Sequence, residues 1–168
     1  MYKDVIDMNE AFGNFSGDRL NPNWEALSNQ SKNILDEYNE LFDDGINPKD
    51  MKEFRDAICD ILVFTMGAAH MSGMDLEADM KMVFDSNMSK FCANEKDLTD
   101  TINKYVFDIG IEIYVDGEFP RKRVKSAKEQ TGLDGKIYQA NKMLKSVSFK
   151  PPVFEDYRPD FSHQAYDI

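Results

Sequence analysis

The sequence predicts a mainly α-helical protein: a helical bundle followed by a small C-terminal β-hairpin and an extended tail. Three observations carry this expectation. Apolar residues recur at helical spacing through the first 92 residues, punctuated by Asn-Pro pairs and glycines. Beyond Cys92 the pattern turns to alternation, with two Asp-Gly turn signals. The chain has 168 residues, 42% of them hydrophobic, enough for one core with an appendage.

The elements follow in order. "DVIDMNEAF" predicts a short amphipathic helix ending at Gly13, then a polar loop to about Asn21. "NPNWEALSNQSKNILDEYNELFDDG" predicts a second helix, with Asn21 as N-cap, Pro22 in the first helical position and Gly45 as terminator. Trp24, Leu27, Ile34, Leu35, Tyr38, Leu41 and Phe42 supply its apolar spacing. "NPKDMKEFRDAICDILVFTMGAAHMSG" predicts a third helix, opened by Asn47 and Pro48 and ending near Gly73. Between Ala57 and Ala69 it is apolar nearly all round, so it is expected to be buried on two sides, the second against another subunit. "DLEADMKMVFDSNMSKF" predicts a fourth helix, with Leu76, Met80, Val83, Phe84 and Met88 along one side. "NEKDLTDTINKY" predicts one more, capped by Asn94. "VFDIGIEIYVDGEFPRKRVKSA" predicts a hairpin turning at Asp116-Gly117. A second turn at Asp134-Gly135 leads into a proline-anchored tail whose last eight residues are expected to be mobile. Residues 1–92 thus form the bundle, and 93–168 the appended helix, hairpin and tail.

Composition narrows the function. The net charge is −11; the first 100 residues carry 21 acidic against 9 basic side chains, the remaining 68 carry 10 against 11. So acidic a first part argues against wrapping nucleic acid, which needs cationic surface. No run of about 18 apolar residues is present, so no membrane span is expected. "MYKDVIDMNEAFG" lacks the basic start and apolar centre of a signal peptide, which points to the cytoplasm. Cys59 and Cys92 make no disulfide framework and are expected to be reduced, buried thiols. His70 and His163 lack metal-ligand spacing, and His70 is expected to pack or to close a helix end. The run "RKRVKSAK" at 121–128 is expected to be a solvated hairpin edge. Phosphate-loop, dinucleotide-turn, zinc-protease and Cys-based zinc motifs are absent, and "DDGINPKDMKE" lacks a calcium-loop pattern.

The chemistry concentrates in acids on two adjacent helices. Asp60 interrupts the apolar run "AICDILVF", where an unpaired carboxylate costs several kcal/mol unless compensated. Glu53, Asp56 and Asp60 lie at i, i+3 and i+7, within a sector of about 60° on one helix face. Glu37 and Glu40 form an i,i+3 pair on the preceding helix. An antiparallel hairpin across "GIN" can face the two stripes together. Stacked carboxylates repel. Hard Mg²⁺ or Mn²⁺ ions, two or more of them, would compensate that repulsion and bring a polyphosphate to the face.

These residues resemble the MazG-like all-α nucleoside triphosphate pyrophosphohydrolases, a group that includes dimeric dUTPases and phosphoribosyl-ATP pyrophosphohydrolases. Members carry an E-x-x-E on one helix and an E-x-x-D on the next, and "DEYNEL" matches the first. The segment from "DAICDILVF" through "SNMSKF" resembles the phage and bacterial branch most closely, and "DGKIYQANKMLKSVSFKPP" resembles its tail more loosely. The resemblance implies metal ligation by Glu37, Glu40 and Asp60, with Asp56 or Glu53 replacing the family glutamate, whose place Ala57 holds. It implies Glu37, Glu40 and Asp60 as the catalytic set, Glu37 orienting or deprotonating the attacking water. Asn87 and Lys90 in "SNMSK", and Lys145, would contact substrate. Phe12, Phe15 and Trp24 are candidates for a base pocket.

The expected activity is Mg²⁺-dependent hydrolysis of a deoxynucleoside triphosphate to the monophosphate and pyrophosphate. It would be carried out by a homo-oligomer, dimer or tetramer, in a bacterial or phage-infected cytoplasm, with neither nucleic acid nor membrane as partner. Two alternatives stand beside it: a catalytically silent helical dimerisation module, and a dUTPase-like enzyme restricted to one base.

Overall fold

A computed structural model describes residues 1–154. The expected mobility of the last eight residues, and His163, lie outside the described residues. The protein is mainly α-helical, with short antiparallel strands toward the C-terminal end. Among the described residues the chain divides into two compact units, Met1–Asp79 and Met80–Phe154. The compositional boundary at residue 92 lies inside the second unit.

The first unit is built on α1 (Tyr2–Ala11), α2 (Trp24–Glu40) and α3 (Met51–Ser72). The N-cap of α2 is Asn23, whose side chain accepts from the Ala26 N–H at 3.1 Å. Asn21 and Pro22 therefore sit just before the helix, not at its first turn. At its other end α2 runs into a π-helical turn, Leu41–Ile46, closed by the Asn47 N–H donating to Phe42 O at 2.9 Å. Gly45 does not stop the helix. It is buried within this turn because the Phe54 backbone crosses it, and a Cβ there would stand 2.8 Å from Phe54 Cα. Asp50, not Asn47, caps α3, accepting from the N–H groups of Lys52 (2.8 Å) and Glu53 (3.4 Å). At its C-terminal end α3 closes as expected on Gly73, in the left-handed region at φ 70°. The loop after α1 passes so close that a Cβ on Gly17 would lie 1.8 Å from Met71 O, and the Gly17 N–H donates to His70 O at 3.0 Å.

Polar contacts as well as apolar ones join these helices. The buried Gln30 amide donates to Phe64 O at 3.1 Å. The buried Asn9 side chain bonds Val5 O at 2.9 Å, and both amides pack on Gly67, where a Cβ would meet them at 2.9 and 3.1 Å. On α3 the buried side is Ala57, Gly67, Ala69 and His70, whereas Ile58 and Leu62 are exposed. Among the described residues the helix is thus covered on one side only. Cys59 is exposed, which corrects the expectation of a buried thiol: it lies on the same open side as Ile58 and Leu62. His70 is 6% exposed, with Nε2 4.0 Å from Glu10 Oε1 and no hydrogen-bond partner among the described residues.

Helix α4 (Leu76–Met88) opens with Asp75 accepting from the Ala78 N–H at 3.1 Å. In the second unit α5 (Glu95–Asn103) is capped by Asn94 as expected, its side chain accepting from the Asp97 N–H at 2.9 Å. It too ends in a π-helical turn, Lys104–Asp108, with Ile109 N–H donating to Lys104 O. Strands β1 (Ile113–Asp116), β2 (Arg123–Ser126) and β5 (Met143–Leu144) form an antiparallel sheet in the order β1-β2-β5. Asp116 pairs with Arg123, so the hairpin closes through a six-residue loop, 117–122, rather than a two-residue Asp-Gly turn. The connection includes the cis Phe119-Pro120 bond. Strands β3 (Gln130–Thr131) and β4 (Ile137–Tyr138) pair around Asp134-Gly135.

The second unit has a tighter core: Cys92, Leu98, Tyr105, Ile111, Val124, Tyr138 and Leu144. Thr101, fully buried, fastens the tail to α5. Its hydroxyl donates to Asp97 O at 2.7 Å and accepts from the Val147 N–H at 3.1 Å. Three cations of the basic run 121–128 are paired with two acids at or beside β1. Arg123 and Lys125 pair with Asp116, and Lys128 with Glu112. Lys125, then Arg123, hold the Asp116 carboxyl below its usual range against partial burial.

Candidate functional site

The α2–α3 hairpin sets the register of the acidic residues. Gln30 meets Phe64 near one end, and Gly45 meets Phe54 at the other. Between these contacts the chains run antiparallel, so the turn of α2 bearing Glu37 and Glu40 lies beside the stretch of α3 from Asp56 to Asp60. The charges confirm the proximity. Glu37 is half-buried, and its carboxyl is pushed above the usual range first by burial, then by Glu40, Asp60, Asp56 and Asp36. Asp60 is half-buried as well, while Glu40 and Asp56 are exposed. Asp60 is tolerated in its apolar run because that part of α3 is not enclosed on all sides.

Of the five acids predicted to hold metal, Glu37, Glu40, Asp56 and Asp60 thus share one face. Among the described residues none of the four makes an ion pair or a side-chain hydrogen bond. Glu53 stands apart electrostatically: it is ion-paired with Lys52 Nζ at 2.6 Å and is not among the charges acting on Glu37. Ala57 is 4% exposed and faces inward, so the position where the resemblance calls for glutamate is filled by a methyl group.

Does this set suit a divalent cation? The donors are all hard carboxylate oxygens, and Glu40, Asp60 and Asp56 add to the burial that raises Glu37, while Lys52 and Arg55 stand beside Asp56 alone. That chemistry fits Mg²⁺ or Mn²⁺. As the side chains stand, no three His, Cys, Asp or Glu groups among the described residues are gathered closely enough to hold an ion. Ligation therefore requires rotation of the longer carboxylates, which the exposure of Glu40 leaves room for.

The substrate residues fall in the second unit. Lys90 Nζ donates to Asn87 Oδ1 at 2.6 Å, the i,i+3 contact their spacing implies, and the Lys90 carbonyl accepts from the Ser146 N–H at 3.1 Å. Lys145 is exposed, with Nζ 4.0 Å from the centre of the Phe149 ring. Phe12, Phe15 and Trp24 are 74%, 70% and 73% exposed, so among the described residues they form no packed base pocket.

Lys52 and Arg55 carried no functional expectation, yet they share a shallow cavity of about 270 Å³ with Asp56 and Cys59. Their spacing with those residues, i, i+3, i+4 and i+7, is the signal of one helix face. No single helix among the described residues is long and apolar enough to cross a membrane.

No protein-family model and no solved structure matches the chain. An uncharacterized protein of Acanthamoeba polyphaga mimivirus is 31% identical over 128 residues, which cover 73% of this chain and 46% of that protein. The chain therefore spans less than half the length of this relative.

Proposed function

We propose that the chain is a Mg²⁺-dependent nucleoside triphosphate pyrophosphohydrolase of the all-α type, releasing a deoxynucleoside monophosphate and pyrophosphate. One observation carries the reading. Burial first, and then Glu40, Asp60 and Asp56 from the two antiparallel helices, raise the proton affinity of Glu37, and none of these four carboxylates makes an ion pair among the described residues. Glu40, Asp56 and Asp60 are the residues that would hold Mg²⁺, with Glu37 beside them. A bound divalent cation supplies charge neutralisation at the phosphates and acidifies a coordinated water. Glu37, its carboxyl already raised by burial and by its neighbours, is suited to accept a proton from an attacking water and to orient it. Ala57 keeps the α2–α3 contact close, so the acids on either side of it are held on adjoining turns. The resemblance assigns Asn87, Lys90 and Lys145 to substrate, and it favours a homo-oligomer in which the open side of α3, with Ile58 and Leu62, is covered.

A second reading has one observation in its favour. The alanine at the family's glutamate position removes a ligand, as expected of a catalytically silent helical module. Measurement of pyrophosphate released from common and modified triphosphates separates the two. Asp60→Asn and Glu40→Gln are each expected to abolish Mg²⁺-dependent release in a folded protein. Full turnover by either variant, or release of orthophosphate with a diphosphate product, would overturn the assignment.

A further inference from the structure

The second unit contains a cleft of about 470 Å³, formed between Lys104 and Phe149 and sharing no residue with the carboxylate face. Its volume falls within the range of about 300–1,000 Å³ typical of small-molecule sites. Apolar groups, among them Ile109, Met143 and the buried Leu144, line it together with four lysines: Lys104, Lys136, Lys142 and Lys145.

The charges in this cleft are unbalanced. Its one carboxylate, Asp134, is already engaged: it accepts from Tyr138 Oη at 2.9 Å and pairs with Lys136 Nζ at 3.1 Å. Burial, then the contact with Asp134, pushes the Tyr138 phenol up to about 12, so it remains a donor to that carboxylate. Lys104 and Lys145 instead approach aromatic rings, Tyr105 at 5.3 Å and Phe149 at 4.0 Å. Among the described residues no carboxylate pairs with Lys104, Lys142 or Lys145. In a chain of net charge −11, three ammonium groups around one concavity, none of them ion-paired among the described residues, repel one another. An ammonium is a compact point charge suited to phosphate oxygens. The apolar lining is matched to a ligand with a flat carbon-rich body.

We propose that this cleft binds a small organic phosphate of nucleotide size, its phosphate held by Lys104, Lys142 and Lys145 and its body against Ile109 and Met143. The site needs no metal and none of the acids of α2 and α3. It gives Lys145 a ligand whether or not the chain hydrolyses triphosphates.

The test is titration of the full isotope-labelled chain, with divalent metal chelated, followed by amide chemical shifts. The probes are adenosine monophosphate, adenosine, inorganic phosphate and a short single-stranded oligothymidine. Adenosine monophosphate is expected to bind most tightly and to shift amides within 104–149. Lys104→Glu with Lys142→Glu is expected to weaken that binding on the order of tenfold or more. Asp60→Asn is expected to leave it unchanged, which separates this site from the proposed catalytic one. If the double charge reversal unfolds the protein, Lys142→Gln alone, an exposed change, is expected to weaken binding several-fold. Adenosine or inorganic phosphate binding as tightly as the monophosphate would overturn the inference. So would tighter binding of the oligonucleotide, no shift at millimolar ligand, or affinity unaffected by the lysine changes.

Discussion

Asp60→Asn offers the sharpest test of the carboxylate face, because its effect should reverse with Mg²⁺. Without metal, Asp60 acts on Glu37 only as a like charge. Such neighbouring pairs cost about 0.2–0.5 kcal/mol on helix surfaces, and the half-exposed setting of Glu37 keeps the effect at that level. The variant should therefore be as stable as the parent, or up to about 0.5 kcal/mol more so. With Mg²⁺ at a hundred times its dissociation constant, a site present only in the folded state adds about 2.7 kcal/mol. For a chain of this size each kcal/mol moves the melting temperature by about 2–4 °C, so the parent should gain about 5–11 °C. Asp60→Asn should lose most of that gain. The assay is thermal unfolding by circular dichroism, with and without MgCl₂, against NaCl of matched ionic strength. A parent unmoved by Mg²⁺ beyond the salt control would refute the reasoning. A metal-free variant destabilised by more than about 1 kcal/mol would show that Asp60 is a structural bonding group.

Three further expectations follow from the geometry. Since Glu37 holds its proton more tightly when folded, its contribution to stability is full below its ordinary value of 4.5 and is lost as pH rises through the raised value. In metal-free buffer the parent should therefore lose melting temperature relative to Glu37→Gln as pH rises above 4.5; a flat or opposite difference refutes this. Thiol labelling should modify exposed Cys59 in the native protein and spare Cys92, which is fully buried and whose thiol is pushed up by that burial; native labelling of Cys92 would contradict the second unit's core. Gly17→Ala places a methyl group 1.8 Å from Met71 O and should cost on the order of 2–3 kcal/mol in chemical denaturation, whereas an unchanged midpoint would mean that the loop does not cross α3 so closely.

Helix positions were legible because apolar spacing and Asn or Gly punctuation act locally. Asn94 and Gly73 stand where their chemistry placed them. The errors arose where two signals competed or tertiary contact decided. "NPN" offers two asparagines, and the second one caps α2. Gly45 resembles a stop signal, but its lack of a side chain serves the crossing of Phe54. Asp116-Gly117 resembles a tight turn, but the pairing of Asp116 with Arg123 lengthens the loop. At the candidate site the acidic spacing correctly put Asp56 and Asp60 near Glu37, since that required only helix geometry and an antiparallel partner. The ion pair that draws Glu53 to Lys52 depends on rotamers, which periodicity does not encode. The lysine cleft was hidden for another reason: its members are spread from 104 to 145 and meet only through folding.

The wide turn at Leu41–Ile46 has a consequence for how this hairpin tolerates length change. A π turn holds one more residue than the α-helical ladder needs. Deleting a single residue there would let the helix continue in ordinary winding, but would redirect the departing chain by about 100° around the helix axis. The returning helix would then leave from a different side, and the aspartates would no longer look toward Glu37. That surplus residue behaves as a phase adjustment, and a one-residue deletion within it should be more damaging to the shared face than most substitutions.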